Sequence, residues 1–203
     1  MNIEKITLHG AGVRLEPLAA SHLPGLAAAI RDGQLWQLPV TSVPHPDDLP
    51  AFLEQAEAQF RGGHELAFAT LDSASGQVVG STRFRNIEAA HRRLEIGFTF
   101  IARTWQRSHV NTAAKYLMLQ HAFEHWQCNR VEWLTDFLNH SSRAAIARLG
   151  AQQEGILRSH MLMRDGRRRD SVIFSLLAAE WPAARARLAA RLDAGSRTLP
   201  PSP

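Results

Sequence analysis

The chain has 203 residues, 45% of them hydrophobic and 21% charged, which is the composition of one globular domain with a substantial core. Its single cysteine, Cys128, excludes an internal disulfide framework and a cysteine-only zinc site, and no run of ~20 apolar residues is present to span a bilayer as a helix. The net charge of +4 comes largely from arginines late in the chain, among them Arg164, Arg167, Arg168, Arg169, Arg185, Arg187, Arg191 and Arg197; with no nucleic-acid-binding motif beside them they read as a solvated surface, not a specific nucleic-acid site.

The N-terminus, Met1 to Lys5, lacks a basic segment followed by an apolar one, so no signal peptide is expected and the cytoplasm is the expected location. Ile6 to Leu8 and Val13 to Glu16 read as two short extended pieces around the turn at His9 to Gly12. Ser21 is placed as N-cap of a helix through Ile30. The proline-rich stretch Gln34 to Pro46 reads as a loop. Asp47 or Asp48 starts a second helix to about Phe60, stopped at Gly62-Gly63.

Leu66 to Leu71 and Val78 to Phe84 form a predicted hairpin about the polar turn Asp72 to Gly76. Leu94 to Ile101 is a third strand, with Leu94, Ile96, Phe98 and Phe100 at period two on one face. From Val110 to Trp126 the period becomes helical, with Val110, Ala114, Leu117 and His121 in one stripe. A strand at Arg130 to Thr135 and a helix at Ser141 to Leu149 follow. Strands at Ile156 to Met163 and Ser171 to Leu177 flank the turn Arg164-Asp165-Gly166. A helix from Glu180 to Leu192 closes the domain, 1–193, and Ala194 to Pro203 reads as a loose tail. Three sequential antiparallel strands followed by a strand–helix–strand crossover imply an α+β fold with a mixed sheet.

That order, and several segments within it, resemble the GNAT N-acetyltransferase superfamily, in particular its ribosomal-protein N-acetyltransferase-like branch. The segments are Gly12 to Leu18, Val79-Gly80-Ser81-Thr82, Glu95 to Thr99, Trp105 to Lys115, Asp136 to Gly150, Glu154 to Arg158, Arg169-Asp170-Ser171 and Glu180-Trp181-Pro182. The resemblance implies the GNAT fold, a mostly antiparallel mixed sheet of six to seven strands flanked by helices. It also implies acetyl-CoA as cosubstrate with no metal. The acceptor would be a primary amine on a small molecule, an amino acid or a protein N-terminus. Homodimers are common in that branch.

A pyrophosphate suits the start of a helix, where the first amides lack internal partners and the dipole favours an anion. Gln106, Arg107, Ser108, His109, Val110, Asn111 and Thr112 match the family's phosphate loop in position, with Arg107 adding a cation and Ser108 and Thr112 adding hydroxyls. His109 stands where the family has glycine, and Asn111 where it has a small residue. Both types tolerate positive φ better than most non-glycine residues. Asn111-Thr112-Ala113-Ala114-Lys115 resembles the branch's Asn-Thr-Glu-Ala-Lys, with Ala113 in place of glutamate. By the same resemblance, backbone groups of Phe100, Ile101 and Ala102 would pair with the pantetheine arm as an added strand. Asn139 would bond its amides, and Asn139 is equally a helix cap.

Acetyl transfer from a thioester needs a neutral amine, its placement, and a donor for the oxyanion. Placement supplies roughly 7–11 kcal/mol and the donor ~3 kcal/mol. The resemblance implies a backbone N–H near Phe100 as that donor. Glu95 is the candidate base, directly or through water; the competing reading pairs it structurally with Arg83 or Arg93. Ser142 is the candidate catalytic acid, since Ile146 occupies the position of the family's tyrosine, and capping the first helical turn explains Ser142 equally. His160 is a reserve acid–base group, and Tyr116 reads as structural. His121, His125 and Cys128 are read as a chance cluster, not a metal site. Trp36 and its loop are expected to wall the acceptor cleft. A catalytically impaired family member serving as a binding or regulatory module remains the alternative to an enzyme.

Overall fold

The computed structural model describes residues 1 and 3–196. Eight strands form one sheet: β1 (Leu8–Gly10), β2 (Val13–Pro17), β3 (Leu66–Asp72), β4 (Val78–Glu88), β5 (Arg93–Ile101), β6 (Arg130–Asp136), β7 (Gln152–Leu162) and β8 (Arg168–Leu177). Their spatial order is β1-β2-β3-β4-β5-β6-β8-β7. Every neighbouring pair is antiparallel except β5 and β6. The count of eight exceeds the expected six to seven because the two opening pieces pair as a hairpin in their own right.

Five α-helices cover the sheet: α1 (Leu23–Arg31), α2 (Leu49–Arg61), α3 (Val110–Gln120), α4 (His140–Arg148) and α5 (Trp181–Ser196). β3 shows why two layers are needed. All seven of its residues are buried; Leu66 and Phe68 face one core, Ala67, Ala69 and Leu71 the other. The first core joins Leu94, Ile96, Val131 and Trp133 to Val110, Ala114, Leu117 and Met118 of α3 and to Trp181, Ala184 and Leu188 of α5. The second seats Leu26 and Ile30 of α1 and Leu49 and Ala56 of α2. Leu26 and Ile30, one helical turn apart, are both fully buried, which contributes about 1.5–3 kcal/mol each.

Several boundaries differ from those expected. Ser21 does not cap α1: it lies within a 3-10 turn, Ala20–His22, and the Ala19 amide donates to His22 Nδ1 at 3.1 Å. α2 is entered through Pro46–Asp48, where His45 Nδ1 accepts the Asp47 amide at 3.3 Å, while Asp48 makes no side-chain cap. β7 and β8 extend well beyond their apolar runs, because cross-strand pairing continues through polar Gln152–Gln153 and Arg168–Arg169. α5 runs past Leu192 to Ser196. The rest of the expected tail, 197–203, lies outside the described residues.

The Leu94–Phe100 alternation is broken. Ser81 pairs with Phe100 and Arg83 with Gly97, so Thr82 faces two residues, Phe98 and Thr99. Such a bulge inserts one residue and turns all later side chains over. Phe98 carries it at φ 46°, a costly conformation for a side chain with a large ring. Phe98 is consequently exposed, and Phe100 joins the α1/α2 core, while Ile101 joins Leu94 and Ile96 under α3.

Candidate active site

β5 and β6 pair only at Arg93–Arg130, Leu94–Val131 and Glu95–Glu132. Beyond Glu95, β5 stays with β4 and β6 stays with β8. The sheet therefore splits, leaving two strand edges with unpaired backbone groups and the bulge on one of them. The loop leaving β5 leads into α3, and α4 starts just after β6, so two helix N-termini follow the two edges of the split.

The α3 loop is held by its own polar side chains. Gln106 Nε2 donates to Ile101 O at 3.0 Å. Ser108 Oγ donates to Trp105 O at 2.6 Å and accepts the Val110 amide at 3.3 Å. Thr104 bonds Asp32 through both amide and hydroxyl. The first backbone bond of the helix runs from the Ala113 amide to His109 O, so the amides of Asn111 and Thr112 begin the helix in the manner of anion-binding termini. The left-handed residue of the loop is Arg107, at φ 63°, with its side chain exposed. His109 is right-handed helical, φ −66° and ψ −25°. The missing glycine thus imposes no positive φ at position 109. The His109 ring lies against the β1–β2 turn, where a Cβ added to Gly12, itself at φ 78°, would meet Nε2 at 2.9 Å.

Along β5 the backbone of the three expected pantetheine contacts divides. The Ala102 amide donates to Val79 O at 2.8 Å, and Phe100 sits opposite Ser81, its carbonyl crowding Gly80 at 2.1 Å from where a Cβ would lie. By alternation the polar groups of Ile101 point the other way. At α4, Asn139 Oδ1 accepts the Ser142 amide at 3.0 Å, an N-cap; Ser142 itself is half-buried.

The α1/α2 side of the split holds a charged cluster. Glu95 is 4% exposed, and it faces Arg85, its direct cross-strand partner, with Nη1 at 3.7 Å. Asn86 Nδ2 donates to its Oε2 at 2.8 Å. Neither Arg83 nor Arg93 is its partner: Arg83 bonds Glu65 at 2.7 Å and Arg93 lies near Glu88 and Glu132. Burial raises the Glu95 carboxyl above the usual carboxylate range, against the opposing pull of Arg85 and Asn86. The guanidinium groups of Arg83 and Arg85 both lie over the Phe98 ring, at 4.7 and 4.4 Å from its centroid.

A wall closes this side. Arg167 pairs with Asp136 at 2.5 Å and donates to Pro39 O at 3.0 Å, and Arg164 donates to Val43 O at 3.1 Å. The loop carrying Trp36, whose ring meets His45 edge-on at 5.1 Å, is thereby tied to the β7–β8 turn. His160 is exposed and reaches Ser171 Oγ at 3.0 Å, beside Asp136 in register. Tyr116 is removed from the split, packed 6.1 Å from Trp181 of α5. His121 and His125 stack at 5.0 Å, and burial holds the His121 imidazole down at about 4; burial also pushes the Cys128 thiol up to about 11.

On the α3 side, Lys115 is 5% exposed, with Nζ 2.6 Å from Thr99 Oγ1 and 2.8 Å from Thr82 Oγ1. Burial pulls its ammonium down to about 7. Sequence reasoning used Lys115 only as part of a motif. The available signal was its position three residues before Met118, among the otherwise apolar residues that α3 buries.

Residues 13–152 match the sequence profile of the acetyltransferase (GNAT) domain. The chain belongs to the GNAT acetyltransferase family. A GCN5-related N-acetyltransferase from Brucella melitensis is 34% identical, covers 93% of this chain and 86% of its own, and superposes with a TM-score of 0.83. Mycobacterium smegmatis RimJ, solved in complex with CoA-disulfide, is 26% identical over 92% of this chain and 95% of its own, with a TM-score of 0.80. The Bacillus subtilis (strain 168) protein named "Putative ribosomal N-acetyltransferase YdaF" is 33% identical over 106 residues, 52% of this chain. The match spans 57% of that relative's length. These likenesses agree with the ribosomal-protein-acetyltransferase-like branch of the GNAT family. Among the described residues no three His, Cys, Asp or Glu side chains stand together as a metal-binding group.

Proposed function

We propose that this GNAT protein transfers an acetyl group from acetyl-CoA to a primary amine by direct attack on the thioester. The carrying observation is the split sheet, whose open β5 edge, bulged at Phe98–Thr99, leads into the N-terminus of α3. The Asn111 and Thr112 amides, with Arg107 beside them, suit the diphosphate. The β5 edge at Ile101 and the Asn139 amide suit the pantetheine, and a β5 amide beside the bulge meets the developing oxyanion. Glu95 takes the proton of the attacking amine, directly or through water. Its raised affinity for protons suits a base working near neutrality.

The acceptor approaches over Phe98, between the Trp36 loop and the β7–β8 turn. The relatives named for ribosomal proteins favour a peptide N-terminus over a small amine. The cytoplasm fits such an acceptor, and a homodimer is consistent with the branch. Isothermal titration with acetyl-CoA, followed by free-thiol release over a panel of amines and peptides, tests the reading. Micromolar binding with turnover of at least one amine is expected, and Glu95→Gln lowers kcat by about 10²–10⁴-fold with acetyl-CoA affinity unchanged. Absence of binding at millimolar acetyl-CoA overturns the reading; tight binding without turnover of any amine leaves a binding module.

A further inference from the structure

The chain carries 21 arginines but only two lysines, Lys5 and Lys115. Every surface cation apart from Lys5 and the terminus is thus an arginine or a histidine, while the cation placed in the core is a lysine. The two are not interchangeable. A guanidinium stays charged when buried, whereas an amine can surrender its proton.

The surroundings of Lys115 suit a group that changes protonation state. Among the described residues no carboxylate lies within ion-pair distance of Nζ. The groups that face it are the Thr82 hydroxyl on β4, the Thr99 hydroxyl on β5 and, behind Thr82, the Met118 sulfur on α3, 3.7 Å from Thr82 Oγ1. The charged cluster of Glu65, Arg83, Arg85 and Glu95 accompanies Phe98 on the opposite side of the sheet. Thr82 and Thr99 are themselves 2.8 Å apart, and Thr99 Oγ1 lies 3.4 Å from Gly97 O. The triangle is satisfied in either state. An ammonium donates to both hydroxyls, and a neutral amine accepts from one of them.

The bulge is what completes the triangle. Without the extra residue, Thr99 would point with Glu95 toward the other face. The insertion at Phe98 turns it under α3 and into reach of Lys115, half-buried at the margin of the β5–β6 split. The bulge therefore places on the open β5 edge a hydroxyl that contacts a buried amine.

Resting on the acyl-transfer reading above, we propose that Lys115, acting through the Thr99 hydroxyl, supplies the proton taken up by the thiolate that leaves during transfer. The amine nitrogen forms the new C–N bond and loses its proton to Glu95 or water. The C–S bond breaks with its electron pair on sulfur. The thiolate takes the Thr99 hydroxyl proton, which the Lys115 ammonium replaces. Amide and thiol are the products, and Lys115, left neutral, regains a proton from solvent. Lys115 is a positioning and proton-holding residue, since Thr99 makes the contact. Its affinity for protons near neutrality suits this task.

Two lysines make the test direct. Full-length protein labelled at lysine Cε gives two side-chain NMR signals, and Lys115→Met assigns them. The Lys115 signal should titrate near neutral pH. Saturation with CoA, whose thiolate would favour the ammonium, should raise its midpoint by about half a pH unit or more, and Thr99→Val should abolish that coupling while Thr99→Ser keeps it. In turnover, Lys115→Met and Thr99→Val should lower kcat about a hundredfold with KM for acetyl-CoA unchanged. The fall in wild-type rate as pH rises through about 7 should vanish in Lys115→Met, and Thr99→Ser should restore the rate. If CoA binds but the Lys115 midpoint stays where it was, or the alkaline limb persists in Lys115→Met, the relay is refuted and acyl transfer stands. If wild-type protein binds no CoA, both fall together.

Discussion

The buried Lys115 should leave a signature in stability that is independent of any substrate. Its ammonium is favoured in the unfolded chain, where its ordinary value is 10.5, and disfavoured in the folded one, where burial lowers it to about 7. Between those values the unfolded chain binds more protons than the folded chain. Folding stability contributed by this group therefore rises with pH across that window, and the penalty is fully present below about 7. The slope is at most about 1.4 kcal/mol per pH unit. From pH 7 to pH 9 the wild-type protein should gain about 2 kcal/mol from this one group, or about 4–8 °C in Tm for a chain of this length. Lys115→Met keeps the apolar stem and lets Thr82 and Thr99 bond each other, already 2.8 Å apart. All other titrating groups are common to the two proteins, so the difference between their urea-unfolding free energies isolates Lys115. Expected is a variant at least as stable as wild type at pH 6.5, whose advantage shrinks steadily toward pH 9. Parallel curves would show that the amine is charged throughout and would refute the argument.

Three other outcomes can be checked. Gly80→Ala places a Cβ 2.1 Å from Phe100 O, so β5 must shift at its bulge; a loss of about 1–3 kcal/mol together with weaker acetyl-CoA binding by calorimetry is expected. Glu65→Gln should cost about 3–5 kcal/mol by leaving Arg83, 2% exposed, without its carboxylate, while the pair Glu65→Leu with Arg83→Met should recover most of that loss in a double-mutant cycle. Asn139→Asp keeps the N-cap that Ser142 uses, whereas Asn139→Ala loses about 1 kcal/mol; a fall in acetyl-CoA affinity in the aspartate variant at unchanged Tm would assign the amide to the cofactor, and unchanged affinity would leave Asn139 a cap only.

The legible part of this protein was whatever depends on local spacing. The order of strands and helices followed from apolar periods, because a half-buried strand repeats every two residues and an amphipathic helix every 3.6. The stop at Gly62-Gly63, the Asp72–Gly76 turn, where Asp72 Oδ2 accepts the Ser75 amide at 2.8 Å, and the α4 cap at Asn139 were read from the same kind of signal. The opposed faces of Glu95 and Ile96 followed too, since alternation is exact until a residue is inserted.

What escaped was set by that insertion and by pairing across the sheet. Period two placed Phe98 and Phe100 with Ile96, and the bulge at Phe98 turned them away. The partner of Glu95 was Arg85, fixed by strand register, which charge type could not single out among three arginines. The left-handed residue of the loop entering α3 was Arg107, not His109, on a backbone path anchored at Ile101 and Asp32. The sequence by itself determined the order of elements and the family, since these depend on local periodicity and ordered motifs. Only the tertiary structure decided which side chains share a face at the split, because one bulged residue, specified by contacts from distant strands and not by its neighbours, reverses the sidedness of everything after it.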